Sequence, residues 1–375
     1  MSWKLEFNIG SNGFLPNYCE KTLPANFSNY LTLIENMASI NFPELVEKMD
    51  TNILPDITNL ENKYLQYLYS SLSIIVNKYI YYDLQNIKTS IPYFIGKLFY
   101  DVALKLDIKP VMSYCTNMWN WELIDKTKPL TLDNITIINT IINKNDPTVR
   151  DEEWFDIITL YIESLSANVL DPINSIYEEL EKSIPNDQII ITNLKIILTN
   201  TTLISDTMGR LRDQCRSDVY WTKIRPYITG TNNKLYFPNG VKINNTNIIL
   251  SLSGVSGAQS PLIQTFDKFL SIKHEKTSLY LDAMSEYMNP SFRNYIKSIS
   301  KKKSLRDYIN EQNLNQESEI VKLFNDCIKY LVIFRSKHLS ILKDFTSKYV
   351  SETEIAYPVN FCSEMIKDYC YDKIK

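Results

Sequence analysis

The chain has 375 residues, 44% of them hydrophobic, which is enough apolar side chain for one large core or two packed units. A formal charge of −3 leaves no basic field to attract nucleic acid or anionic lipid. The one basic cluster, Lys297, Lys301, Lys302, Lys303 and Arg306, reads as a solvated turn between helices.

Residues 28–41, 60–82 and 92–106 carry helical periodicity, separated by Asn, Pro and Asp breaks. Asn143-Lys-Asn-Asp-Pro147 is polar and ends a helix-like run, because proline disfavours helix in the residue before it. It suggests a boundary: a smaller N-terminal unit over 1–143, a linker over 144–151 and a larger unit over 152–375. Helical pattern then runs from 152 to about 183 and over 187–224, before a glycine-bearing, loop-like stretch, 225–259. Ser260-Pro261 resembles a cap with proline in the first turn of a helix through about 273. Further helices are expected over 276–288, 290–300 and 317–349, and a shorter one near 360–373.

Only eight glycines occur, and Gly230, Gly240, Gly254 and Gly257 fall in one short stretch. Glycine costs a helix about 1 kcal/mol against alanine, so its scarcity predicts an all-α fold. Its clustering marks a place where the backbone turns sharply or approaches something closely. Six widely spaced cysteines (19, 115, 215, 327, 362 and 370) include no C-x-x-C pair, which fits reduced thiols in a cytosol rather than a zinc site or redox dithiol. The N-terminus lacks the apolar stretch of a signal peptide, and no apolar run nears the roughly 20 residues of a membrane span. A cytoplasmic monomer without membrane or nucleic-acid partners is the expectation.

Within 317–349, Phe324, Ile328, Leu331, Arg335, His338, Leu342 and Phe345 fall on one helix face. Five are apolar. An arginine and a histidine one turn apart sit where core residues belong, and a buried guanidinium needs an anionic partner. Haem would satisfy both, taking the imidazole on iron and the guanidinium on a propionate. A hydrogen-bonded core histidine beside an arginine paired to a protein carboxylate also fits, and spacing alone favours it. The only other histidine, His274, lies in a charged stretch that reads as a solvated helix end. With two histidines, multi-histidine metal sites are excluded and Ser-His-Asp catalysis is hard to build. Asp267, beside Phe266 and Phe269, is either a partner for Arg335 or exposed. Ser253-Gly-Val-Ser-Gly-Ala-Gln-Ser260 places small residues and donors before a helix N-terminus, suited to an anion or a flat cofactor edge, or simply to a tight loop. It matches neither a Walker A loop nor a dinucleotide fingerprint.

Arg225-Pro-Tyr-Ile-Thr-Gly230, Phe237-Pro-Asn-Gly-Val241, Ser256-Gly-Ala-Gln-Ser260 with Asp267, Met284-Ser-Glu-Tyr-Met-Asn-Pro290 with Arg293, and Leu331-Val-Ile-Phe-Arg-Ser-Lys-His338 follow in order. This succession resembles the indoleamine 2,3-dioxygenase family, with weaker echoes at Gly13-Phe-Leu-Pro-Asn17 and Lys128-Pro-Leu-Thr131. The resemblance implies a large helical domain enclosing haem b, capped over its distal pocket by a smaller, mainly helical N-terminal domain. It makes His338 the proximal iron ligand, Arg335 a propionate partner held by Asp267, and Ser256 and Gly254 parts of the propionate loop. Arg225 would grip the substrate carboxylate and Phe155 would pack on the indole.

Three pocket positions depart from the family pattern: Thr159 at a distal serine, Tyr220 at a phenylalanine and Ser113 at a tyrosine. The family's Gly- and Thr-rich substrate loop has no clear match in the tail, which begins Ser351-Glu-Thr-Glu. The implied reaction inserts dioxygen across the indole C2–C3 bond of L-tryptophan or a related indole, with an electron donor keeping the iron ferrous. Neither histidine has a sequence reason to act as a distal acid or base. Three alternatives stay open: a haem enzyme acting on a different indole, a non-catalytic haem protein such as a gas sensor, and an all-helical scaffold with no cofactor.

Overall fold

The computed structural model describes residues 3–37, 39, 41–49, 54–88, 91–229, 252–349, 363–368 and 374, with backbone alone at 241–243 and 246–248. Positions 230, 237–240, 351–358, Cys362 and Cys370 lie outside the described residues.

The described residues are predominantly helical, in line with the glycine scarcity. The N-terminal part carries α1 (Trp3–Glu6), α2 (Ser28–Glu35), α3 (Phe42–Lys48), α4 (Asn62–Ile80), α5 (Tyr93–Lys105) and α6 (Tyr114–Met118). A small antiparallel pair, β1 (Trp121–Leu123) and β2 (Ile135–Ile137), follows in register Trp121↔Ile137. Then come α7 (Val149–Ser164), α8 (Ser166–Leu180), α9 (Asp187–Gly209), α10 (Ser217–Val219) and α11 (Arg225–Thr229). A second hairpin, β3 (Val241–Ile243) with β4 (Thr246–Ile248), precedes α12 (Pro261–Phe269), α13 (Ser278–Ser285), α14 (Pro290–Ile299), α15 (Leu305–Glu311) and the long α16 (Glu319–Thr346).

Three expected runs differ in instructive ways. The helix expected from 152 begins at Val149, inside the expected linker, and divides at Leu165. At that division the N-terminal segment arrives: Phe14 N–H donates to Ser166 Oγ at 2.8 Å, and Gly13, at φ +64°, lies against Ser166 and the Ala167 backbone. The run expected to 224 stops at Gly209 and continues as a 3₁₀ turn, α10 and a π-helical turn, Tyr220–Ile224. Asp151 of α7 holds the chain out of helix there, accepting from Arg216 N–H at 2.7 Å and from its guanidinium at 2.8 and 3.0 Å. The expected loop over 225–259 contains α11 and the β3–β4 hairpin, where β-branched residues alternate along each strand.

The buried apolar side chains form one continuous cluster from Ile9 to Phe345. Long α16 packs along α9, which packs on α8, while α4 pairs with α5 and α12 with α14. Cys115, Cys215 and Cys327 are free and buried, and burial pushes each thiol up to about 12, so they pack as small apolar groups. Among the described residues no helix is long and apolar enough to cross a membrane.

Candidate functional site

The α16 stripe runs from core to cavity. Phe324, Ile328 and Leu331 are fully buried, whereas Arg335, His338, Leu342 and Phe345, further along the same face, line a cavity of about 390 Å³. Helix α7 also lines the cavity, through Phe155, Asp156, Thr159 and Ile162 at helical spacing. Ser113 and Asn117 of α6, Tyr220 and Arg225 at the π turn, and Ser256 and Gly257 of the glycine loop complete the walls.

His338 has no hydrogen-bond partner among the described residues. Burial first, and the Arg335 charge second, lower its pKa to about 4, so the imidazole is neutral and keeps a lone pair free. One turn earlier, Arg335 reaches Asp267 Oδ2 at 3.4 Å and Met365 Sδ at 3.5 Å. The expected pairing of Asp267 with Arg335 is therefore present, and Asp267 is buried, not exposed. Its second oxygen, Oδ1, has no partner among the described residues.

His274 corrects an expectation. It is not a solvated helix end: its side chain is 7% exposed, with Nε2 3.1 Å from Asp267 Oδ2 and Nδ1 3.3 Å from Asp368 Oδ2. Two carboxylates brought from other segments draw the ring inward, which the surrounding charged residues could not reveal. Burial lowers its pKa, but hydrogen bonding and charge from Asp267, with Asp368, outweigh that and raise it above its ordinary 6.5.

A chain of rings links α7 to α16: Phe155 meets Tyr220 at 5.4 Å between ring centroids, and Tyr220 meets Phe345 at 5.3 Å. Burial pushes the Tyr220 hydroxyl up to about 12, against the pull of Arg225. The π turn brings the Arg225 guanidinium over Trp221 at 4.5 Å, and Trp221 stacks on Tyr349. The Thr159 hydroxyl is committed, accepting from Asn117 Nδ2 at 2.6 Å and donating to the Asp156 carbonyl at 2.8 Å. Ser113 is the N-cap of α6, forms a capping box with Thr116, and has its hydroxyl 3.1 Å from that of Tyr69.

In the glycine loop, Ser256 Oγ accepts from Ala258 N–H and lies 3.2 Å from the Tyr280 hydroxyl. A Cβ at Gly257 would meet nothing within 4 Å, so the loop leaves open space at the cavity edge. Gly254 does not line the cavity; its carbonyl accepts from Gln259 Nε2 at 2.9 Å. Gln259 was not singled out from sequence, yet it anchors the loop, because its Oε1 also accepts from Tyr114 N–H. Asn117, Asp156, Tyr280 and Met365 were likewise missed, since each matters only through what it faces.

These residues suit haem. Among the described residues no three His, Cys, Asp or Glu side chains cluster to hold a metal ion. A lone neutral imidazole suits a metal that brings most of its donors with it, as a porphyrin iron does. A family model described as indoleamine 2,3-dioxygenase matches residues 4–354.

The chain belongs to the indoleamine 2,3-dioxygenase family.

Among curated relatives, indoleamine 2,3-dioxygenase of Saccharomyces cerevisiae (strain ATCC 204508 / S288c) is 27% identical over 79% of this chain and 67% of its own length. Indoleamine 2,3-dioxygenase 1 of Rattus norvegicus is 24% identical over 92% of this chain and 84% of its own. A protein named myoglobin, from Haliotis madaka, is 21% identical over 94% of this chain and 92% of its own.

Proposed function

We propose that this family member is a haem-dependent dioxygenase that inserts dioxygen across the C2–C3 bond of L-tryptophan or a related indole, giving an N-formylkynurenine-type product. The observation that carries this reading is the neutral imidazole of His338, without a hydrogen-bond partner among the described residues, one turn from Arg335 and lining a cavity in a chain of this family. His338 would bind the iron of haem b; Arg335, held by Asp267, and Ser256 with the Gly254 loop would meet the propionates. Haem iron, kept ferrous by an electron donor, supplies the dioxygen-binding chemistry.

The protein's own share is positioning and water exclusion. Arg225 offers a planar fork to the substrate carboxylate, and Trp221 beneath it limits its freedom. Phe155 and Tyr220 give the indole an aromatic wall. Because the Thr159 hydroxyl is spent on Asn117 and Asp156, it supplies no proton to the distal side, and Ser113 is equally occupied as a cap.

The Haliotis madaka relative favours a second reading, reversible dioxygen binding without turnover. Anaerobic reduction of the haem-loaded protein, followed by dioxygen and L-tryptophan, separates the two. N-formylkynurenine supports the dioxygenase. A stable oxygenated spectrum with no product from any indole supports the carrier.

A further inference from the structure

The π turn Tyr220–Ile224 meets the end of α16 through two ring pairs. One of them, Tyr220 with Phe345, lines the cavity. The other lies outside the cavity lining: Trp221 stacks on Tyr349, with ring centroids 5.2 Å apart and planes 7° from parallel. Tyr349 follows the last turn of α16 and is tied back to it, its N–H donating to the Thr346 carbonyl at 2.9 Å.

Packing does not account for this second pair. Trp221 and Tyr349 are both half-buried, and neither belongs to the apolar core or packs against it. The Tyr349 hydroxyl makes no hydrogen bond with a described residue. What the stack does meet is Arg225, whose guanidinium carbon lies 4.5 Å from the Trp221 ring centroid. Arg225 lines the cavity, whereas the two rings do not. An arginine side chain has many rotamers, and gripping a carboxylate costs it that freedom; a flat surface that already restricts the guanidinium reduces the cost. Trp221 can serve as that surface only if its own ring is held, and Tyr349 is the ring stacked on it.

Resting on the reading of Arg225 as the residue that grips the substrate carboxylate, we propose that Tyr349 is a positioning residue. By stacking on Trp221 it fixes the platform under the Arg225 guanidinium, so the end of α16 sets the strength of carboxylate recognition without touching substrate.

The test is equilibrium binding of L-tryptophan and of tryptamine, which lacks the carboxylate, to the haem-loaded full chain, read by calorimetry. The natural chain should prefer L-tryptophan, and Arg225→Ala should reduce that preference about tenfold or more. Tyr349→Leu, which keeps bulk but has no flat face, should reduce it about threefold or more while tryptamine binds as before. Tyr349→Phe should retain the full preference, because the stack uses the ring and not the hydroxyl. In the Arg225→Ala background, Tyr349→Leu should add nothing, since its effect passes through the arginine. The stack lies outside the core, so these variants should fold, and unchanged haem content checks this. Full preference in Tyr349→Leu overturns the proposal. Equal weakening of both ligands also overturns it, since the ring would then shape the pocket and not aim the arginine. An undiminished effect in the Arg225→Ala background does the same. If Arg225→Ala removes the preference and Tyr349→Leu does not, this proposal alone falls. If Arg225→Ala leaves the preference intact, or the natural chain shows none, the carboxylate reading of Arg225 falls and takes this proposal with it.

Discussion

Arg335 of α16 and Asp267 of α12 meet at 3.4 Å, and the same carboxylate oxygen, Oδ2, receives His274 at 3.1 Å. One acidic residue thus orients the guanidinium that faces the cavity and ties it to the segment carrying Asp368. Asp267→Ala leaves two buried groups without their shared anion and should cost about 3–5 kcal/mol, the usual penalty for breaking a buried pair. Denaturant unfolding of the haem-free chain measures it. A loss below about 1 kcal/mol, the range of exposed pairs, would mean that solvent replaces the carboxylate.

His274 also makes a pH prediction. Its folded pKa is raised, so its stabilising effect is fully present below the ordinary 6.5 and is lost as pH rises through the higher folded value. Docking of residues 363–368, which carry Asp368, should weaken across that interval, seen as faster amide exchange there. His274→Gln should flatten the dependence. Exchange in 363–368 that ignores pH in the natural chain would remove His274 as the cause.

Glu163 titrates with the same sign over a lower window. Burial raises it to about 7, although Ser260 and the Leu262 N–H donate to it. A carboxyl whose folded pKa exceeds its ordinary 4.5 favours the folded state less as pH climbs from 4.5 to about 7. Stability should fall over that window, and Glu163→Gln should remove part of the slope, leaving the share of Glu152, which burial also raises to about 7. Thermal melts of both chains across the window provide the measurement.

His338→Ala and Arg225→Ala should separate cofactor from substrate. The first should abolish stoichiometric haem binding; a normal ferrous–CO spectrum in that variant would put the ligand elsewhere. The second should leave the haem spectrum intact and raise the KM for L-tryptophan by about tenfold or more, the loss of a charge-assisted pair. Unchanged kinetics would sink the carboxylate assignment.

Gly13→Ala tests how the N-terminal segment is held. Glycine is required there twice over, by φ +64° and because a Cβ would collide with Ser166 Oγ and the Ala167 backbone. A cost of about 2–5 kcal/mol in unfolding free energy is expected from positive-φ strain and overpacking together.

Features that depend on near neighbours along the chain were legible in the sequence. Glycine scarcity indicated helices because each helical residue bears its own propensity. The α16 face was readable because residues three and four apart share a side whatever surrounds them, so Arg335 and His338 stood out before any fold was known. The Ser260-Pro261 start of α12 is equally local. What tertiary structure decided depends on partners far away in sequence. Arg216 leaves helix because Asp151, 65 residues earlier, takes its N–H and guanidinium. His274 is buried because Asp267 and Asp368 converge on it, and Thr159 is spent because α6 delivers Asn117. Asp156 shows the limit most clearly: beside Glu152 and Glu153 it reads as one more charge on a helix, and only the fold makes it line the same cavity as His338 of α16.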